Sequence, residues 1–447
     1  MERASRAVEQ ARSKGAEVAE AVASRSKHLS ASVRMGEPEH LEEAGSRGLG
    51  LRVMSGKKTG LVHTSDLSDE GIALLVDDAL ELMRLGEDDP YAGPADPELV
   101  GDGSNYLDLD LYDSKIDSID GEAAFKAALA GEEAARSVDP RIENSDGATF
   151  TRVSGARALV LSDGRAFSSL GSFASLVVRP IALDEGDKRR RGFYHTAARH
   201  LSDLEAPEAV GREAARRTIA NLGAEKIPSG ELPIVFDPDV ARSMIGLVVG
   251  VLLGGSVYRG QSFLADRLGE TIADSRLHLV DDPLVIRGHA SRLYDGEGLR
   301  SRANTIIRDG VLESFLLDSY SARRLGMEST ASASRGGSGG LAASSTNVLV
   351  RPGEMSLDEL LRDTHEGLYV TQMMGFGFNS VTGDFSRGAS GFRIDNGELG
   401  RPVSEITISL NLNELLNRID AIANNVDRRS SILTPSFRVA SMTVAGS

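Results

Sequence analysis

The chain has 447 residues, 40% of them apolar and 26% charged, more than one hydrophobic core usually holds at roughly 150 residues per domain. Its 50 basic and 66 acidic residues leave a formal charge of −16; such a surface repels polyanions and argues against nucleic acid as a ligand. Cysteine is absent, which excludes disulfides, a thiolate nucleophile and any sulfur ligand for a metal.

The N-terminus, Met1 to Arg6, has no apolar segment behind a basic start, so no signal peptide is expected. The longest apolar run, Met244 to Leu253, is about half the ~20 residues of a membrane span. A soluble, cytoplasmic protein is the expectation. In chain order, Arg3 to Ser26 is Ala- and Glu-rich and reads as an amphipathic helix. Alternating residues at His28 to Arg34 and Gly48 to Val53 predict strands, with Thr59 to Thr64 as a hairpin partner. Ser68 to Leu85 sets Ile72, Leu75, Val76, Ala79, Leu82 and Met83 on one helical stripe. An irregular loop follows from Glu87 to Asn105, then a helix from Ile119 to Val138 and strands from Thr149 to Leu183, turning at Ser162-Asp163-Gly164. A helix from Pro207 to Leu222 ends in Gly223. These blocks predict an α+β fold with mostly antiparallel pairing.

Lys226 is the last lysine, and Ile227 to Gly230 resembles a linker, so two domains are expected, 1–226 and a β-rich 227–447 enclosing a helix. The second half opens with a strand, Leu232 to Phe236, followed by Asp237 as N-cap and Pro238 in the first turn. The helix they start is read as containing Gly246, Gly250 and Gly254. Each glycine costs about 1 kcal/mol of helix stability relative to alanine, so something should approach that face closely. Either the helix lies tightly on its own sheet, or a substrate or partner backbone packs there. Arg335 to Ser345 reads as a Gly/Ser-rich loop, Ser356 to Glu359 as a capping box, and Asp395-Asn396-Gly397 as a tight hairpin turn.

Sites of chemistry are sparse. His195 and His200 are the closest histidines, but an offset of five sets them about 140° apart on a helix and on opposite strand faces. His278 and His289 converge only through an unseen turn. Gly336 to Gly340 has the letters of a nucleophile elbow without the strand-to-helix context. Gly50 to Lys58 misses a P-loop, and Gly375-Phe376-Gly377 misses a dinucleotide fingerprint at Ser380. Asp295-Gly296-Glu297 reads first as a surface turn, with a general base or ion ligand as the alternative. Lys188 to Arg191 reads as a solvated turn. On a bend between strands, Asp384, Ser386, Arg387 and Gly388, within Val381 to Phe392, suit binding of a peptide backbone or carboxylate.

Arg259 to Leu264, Asp295 to Gly298, Tyr320 to Gly326, Val381 to Phe392 and Met442 to Gly446 closely resemble the TldD/PmbA family, also called modulators of DNA gyrase. The resemblance covers most of Leu232 to Gly446 in order; the first half agrees mainly in layout. It points to the PmbA branch, also called TldE. In the TldD branch a helix carries His-Glu-x-x-x-His, with a later cysteine also implicated; here Ile245 to Val251 reads Ile-Gly-Leu-Val-Val-Gly-Val.

The resemblance implies a heterodimer in which a TldD-type partner supplies zinc and the general base, while this chain shapes the chamber for unfolded or leader peptides. No catalytic residue or metal ligand carries over to this chain. Gly246, Gly250, Gly254, Asp384, Ser386, Arg387 and Gly388 are expected to face substrate or partner. The alternatives are a stand-alone peptide-binding or regulatory protein, homodimeric when alone, and a peptidase using His195, His200 or Glu297.

Overall fold

The computed structural model describes Met1–Gly446. The first half is built on strands far longer than the usual five or six residues. Val18–Arg34 pairs antiparallel with Glu37–Ser55 on one side and Asn144–Leu161 on the other. Lys58–Thr64 and Ala166–Leu183 extend this sheet outward, and Arg189–Arg191 and Tyr194–Ala198 both pair with Ala166–Leu183. Two helix pairs cover successive lengths of one face. Glu2–Ser13 and Asp69–Leu85 pack on Ala19, Ala21, Leu49, Leu51 and Val53; Gly121–Arg136 and Pro207–Ala220 pack on Leu29, Ala31, Phe150 and Leu176. Because strand side chains alternate with period two, the odd-numbered 19, 21, 29 and 31 share that face.

Three expectations fail here. Arg189–Arg191, within the Lys188 to Arg191 stretch read as a solvated turn, is a short strand with Arg190 paired to Asp184. The helix predicted from Arg3 to Ser26 stops at Ser13; Gly15 turns the chain at φ 108, and Val18 starts the central strand. Residues of good helix propensity there are recruited into a long ladder, where tertiary pairing outweighs local preference. On Asp69–Leu85 the buried stripe runs through Leu80, and Leu82 is exposed. The intended stripe was right at Ile72, Leu75, Val76, Ala79 and Met83.

In the second half, Gly230–Phe236, Gly367–Met374, Asp384–Asp395, Glu398–Asn411 and Phe437–Ala445 form consecutive neighbours. Pairing of Glu398–Asn411 with Phe437–Ala445 closes them into a β-barrel, which removes exposed edges. Asn396 at φ 52 and Gly397 at φ 81 make the left-handed turn expected between two of these strands. A five-stranded sheet containing Leu279–Asp281 and Val348–Val350 flanks the barrel. Both share one large core with the helix Pro238–Val251, whose Val240, Met244, Ile245, Val248 and Val249 are buried. Among the described residues no helix is long and apolar enough to cross a membrane.

Candidate functional site

The helix that opens the second half is capped as read from sequence. Asp237 Oδ1 accepts from the backbone N–H of Asp239, and Pro238 occupies the first turn. Asp237 is itself buried and its other oxygen accepts a 2.6 Å bond from the Tyr369 hydroxyl, while burial pushes its carboxyl above the usual range. With the apolar stripe turned into the core, Asp239, Arg242, Ser243, Gly246, Leu247 and Gly250 are left half-exposed, and Asp239 pairs with Arg242.

Gly254 does not continue this face. The helix ends at Val251, and Gly254 opens a separate short helix to Tyr258. The three glycines therefore meet different surroundings. A Cβ on Gly246 would sit 3.5 Å from Ile432 Cδ1, in ordinary contact, and one on Gly250 would meet nothing within 4 Å. At Gly254 it would overlap Ser321, whose hydroxyl is held in the capping box of Asp318. Close approach, expected of all three, is a property of Gly254 alone, and this chain supplies the neighbour. Gly250→Ala is thus expected to stabilise the isolated chain by about 1 kcal/mol through helix propensity. Gly254→Ala is expected to destabilise it by about 1–3 kcal/mol through overpacking. Urea unfolding of the two variants should show opposite signs.

The bend residues also separate. On Asp384–Asp395 the alternation buries Phe385 and Ala389, so Arg387, on their side, turns inward. Its Nη1 lies 3.4 Å from Ser243 Oγ, its guanidinium sits 5.6 Å from the Phe385 ring centre, and its buried Nε has no hydrogen-bond partner. Asp384 and Ser386 are exposed on the outer side. Asp384 accepts from Thr382 Oγ1 at 2.6 Å and Asn411 Nδ2 at 3.0 Å, which hold its carboxyl below the usual range. A Cβ on Gly388 would lie 3.6 Å from Met374 Cβ. Arg387 and Ser243 thus join the barrel to the open helical face, and Asp384 and Ser386 do not reach it.

Asp295-Gly296-Glu297 is not a surface turn. Asp295 and Glu297 are 5% and 4% exposed. Asp295 accepts three backbone N–H groups, from Glu297, Leu299 and Ala333, and Glu297 accepts from the N–H of Ser319. Burial pushes both carboxyls up. Three donors and the Arg292 guanidinium favour the charged form of Asp295, while burial and Asp295 push Glu297 up to about 7. The sequence pattern failed here because the covering elements, Ala333–Arg335 and Ser319–Leu325, lie far along the chain.

The histidines serve separate networks. His195, made less basic, to about 4, by burial and by Arg429, lies on Tyr194–Ala198. His200 Nε2 lies 2.9 Å from Asp110 O, and His289 Nε2 lies 3.2 Å from Arg428 O. The helix window Ile245 to Val251 presents no imidazole, carboxylate or thiolate, a donor set that does not fit zinc. Among the described residues no three His, Cys, Asp or Glu side chains are grouped to hold a metal ion.

A second feature had no motif to announce it. Between the halves lies a cavity of about 470 Å³, walled by Arg157, Arg199, Arg292 and Arg335 together with Leu159 and Phe167. Arg157 donates to the carbonyls of Arg335 and Gly336, and Arg335 Nε donates to Gly296 O at 2.6 Å. The Gly336–Gly340 turn, suspect as a nucleophile elbow, is the tip of the Ala333–Arg335/Leu341–Ala343 hairpin. It packs so near Gly50 that a Cβ there would lie 2.6 Å from the Ser338 backbone. For Arg292 and Arg335, though not for Arg157 and Arg199, the sequence signal was the exclusive use of arginine after Lys226; arginine tolerates burial because its planar fork satisfies several carbonyls at once.

Comparison with known proteins places this architecture in a class. Family models described as PmbA/TldA metallopeptidase domain 1, central domain and C-terminal domain match residues 19–82, 114–222 and 229–446. The first two fall in the long-stranded half and the third on the barrel half, so the class is that of a metallopeptidase fold. Metalloprotease PmbA of Escherichia coli O157:H7 is 37% identical over 435 residues, covering 97% of this chain and 93% of that protein. A PmbA homologue of Haemophilus influenzae is 37% identical, covering 98% and 94%. A crystal structure from Bacteroides thetaiotaomicron, named as a modulator of DNA gyrase, has a TM-score of 0.92 at 27% identity, covering 100% and 98% of the two chains. TldE from Thermococcus kodakarensis shares the fold with a TM-score of 0.89 at 21% identity, over 99% and 100%. The chain belongs to the PmbA/TldD family of metallopeptidases, and the PmbA/TldE branch fits it.

Proposed function

We propose that this chain is the non-catalytic subunit of a TldD/TldE-type zinc metallopeptidase acting in the cytoplasm on unfolded or leader peptides. The observation that carries the reading is the Ile245 to Val251 window of Pro238–Val251, whose half-exposed Gly246, Leu247 and Gly250 carry no group able to bind a metal or move a proton. Zinc and the general base then come from a TldD-type partner. This chain contributes walls: the open helical face leaves room for another backbone, and Arg387 offers donors beside it.

The experiment is cleavage of an unstructured peptide by this chain alone, by a TldD-type partner alone, and by the mixture, each with and without a chelator. Cleavage is expected to be strongest in the mixture, to vanish with chelator, and to be at background for this chain alone. Chelator-sensitive cleavage by this chain on its own overturns the proposal.

A further inference from the structure

The interlobe cavity has a charge opposite to that of the chain. The whole carries −16, yet four arginines line this one volume. Arg335 is paired with Glu20. Among the described residues Arg157, Arg199 and Arg292 form no ion pair and bond only to backbone carbonyls: Arg157 to Arg335 and Gly336, Arg199 to Gly288, Ser172 and His289, and Arg292 to Ala333. Arg292 keeps Nε and Nη2 buried without an acceptor.

The carboxylates on the wall are already engaged. Asp110 is paired with His200 and Arg287, and Asp295 with its three backbone donors. Asp108, exposed at the rim, accepts from the N–H of Asp110. Arg292 has Asp295 and Asp281 nearby, whereas among the described residues Arg157 and Arg199 have no carboxylate against them; guanidinium groups without counter-charge are costly when desolvated, and burial together with Arg335 and Arg292 holds the Arg157 guanidinium below its usual basicity. An anion entering the cavity relieves that cost, and the positive potential of a partly enclosed cleft draws it in. Serines and Asn105 share the remaining wall with an apolar part that includes the buried Leu109, Leu159 and Phe167. A bare inorganic anion would leave that side uncovered. Volume and lining match a small-molecule pocket.

We propose that this cavity binds a small organic carboxylate with an apolar body, its carboxylate beside Arg157 and Arg292 and its apolar part against Leu159 and Phe167. This site is independent of the peptidase reading, so it is tested on the purified chain without partner or cleavage assay. Titration calorimetry would compare N-acetyl-leucine, N-acetyl-leucinamide and inorganic phosphate. Saturable binding of N-acetyl-leucine is expected, with the amide and phosphate each weaker by about tenfold or more, the size of one lost charge-assisted contact. Arg157→Gln is expected to weaken N-acetyl-leucine binding by a similar factor, with circular dichroism and melting behaviour confirming the fold. Equal binding of acid and amide overturns the proposal, as do tighter binding of phosphate, absence of binding, or a folded Arg157→Gln chain with unchanged affinity. The acid–amide contrast on the native chain needs no variant.

Discussion

Arg335→Met is expected to cost about 3–5 kcal/mol of stability, the usual penalty for stranding one charge of a buried pair. Arg335 and Glu20 are 3% and 4% exposed, and their contact joins the barrel half to the central strand of the first half. Burial alone would raise the Glu20 carboxyl, but Arg335, and Arg52 at 3.4 Å, more than offset it and hold the carboxyl below the usual range. Without Arg335, Glu20 retains only Arg52. Because the folded pKa is depressed, the pair's contribution is fully present above the unfolded value of about 4.5 and fades as pH falls through the folded value. Urea unfolding at neutral pH should show the full loss, and at strongly acidic pH the gap between native and variant should narrow. Adding Glu20→Gln to Arg335→Met should recover part of the loss by removing the stranded charge. A cost below about 1 kcal/mol for the single variant would show that this pair does not hold the halves together.

Glu297→Gln is expected to act in the opposite direction. Burial and Asp295 raise the Glu297 pKa to about 7 from the ordinary 4.5, so the folded chain holds a proton there that the unfolded chain releases. Stability from this group is therefore fully present below about pH 4.5 and declines as pH rises through 7. Glutamine is neutral at every pH, and its carbonyl can accept the Ser319 N–H as Glu297 Oε2 does. The variant should match the native chain at pH 4 and exceed it at pH 8 by on the order of 2–3 kcal/mol. A stability difference independent of pH would rule out this titration.

Legibility in the sequence followed the range of the interaction. Asp237 with Pro238, Ser356 with Glu359, and Asn396-Gly397 were each read correctly, because a cap, a capping box and a left-handed turn are settled by residues within four positions. Ala16 to Ser26 was misread as helix because its local preference is overruled by partners at Leu51 and Val160, paired with Ala21. Asp384, Ser386, Arg387 and Gly388, read as a bend between strands, instead open the strand Asp384–Asp395, and the alternation that sends Arg387 to Ser243 and Asp384 outward depends on how the barrel closes.

By itself the sequence determined the α+β class, the family, and the chemistry of the Ile245 to Val251 window, since side-chain identity needs no coordinates. Only the tertiary structure decided that Asp295 and Glu297 are buried, that Gly254 is crowded while Gly250 is open, and that four arginines meet in one cavity. Burial and electrostatic coupling are set by neighbours in space, and the neighbours that matter here, Glu20 with Arg335 and Arg157 with Arg292, come from opposite halves of the chain.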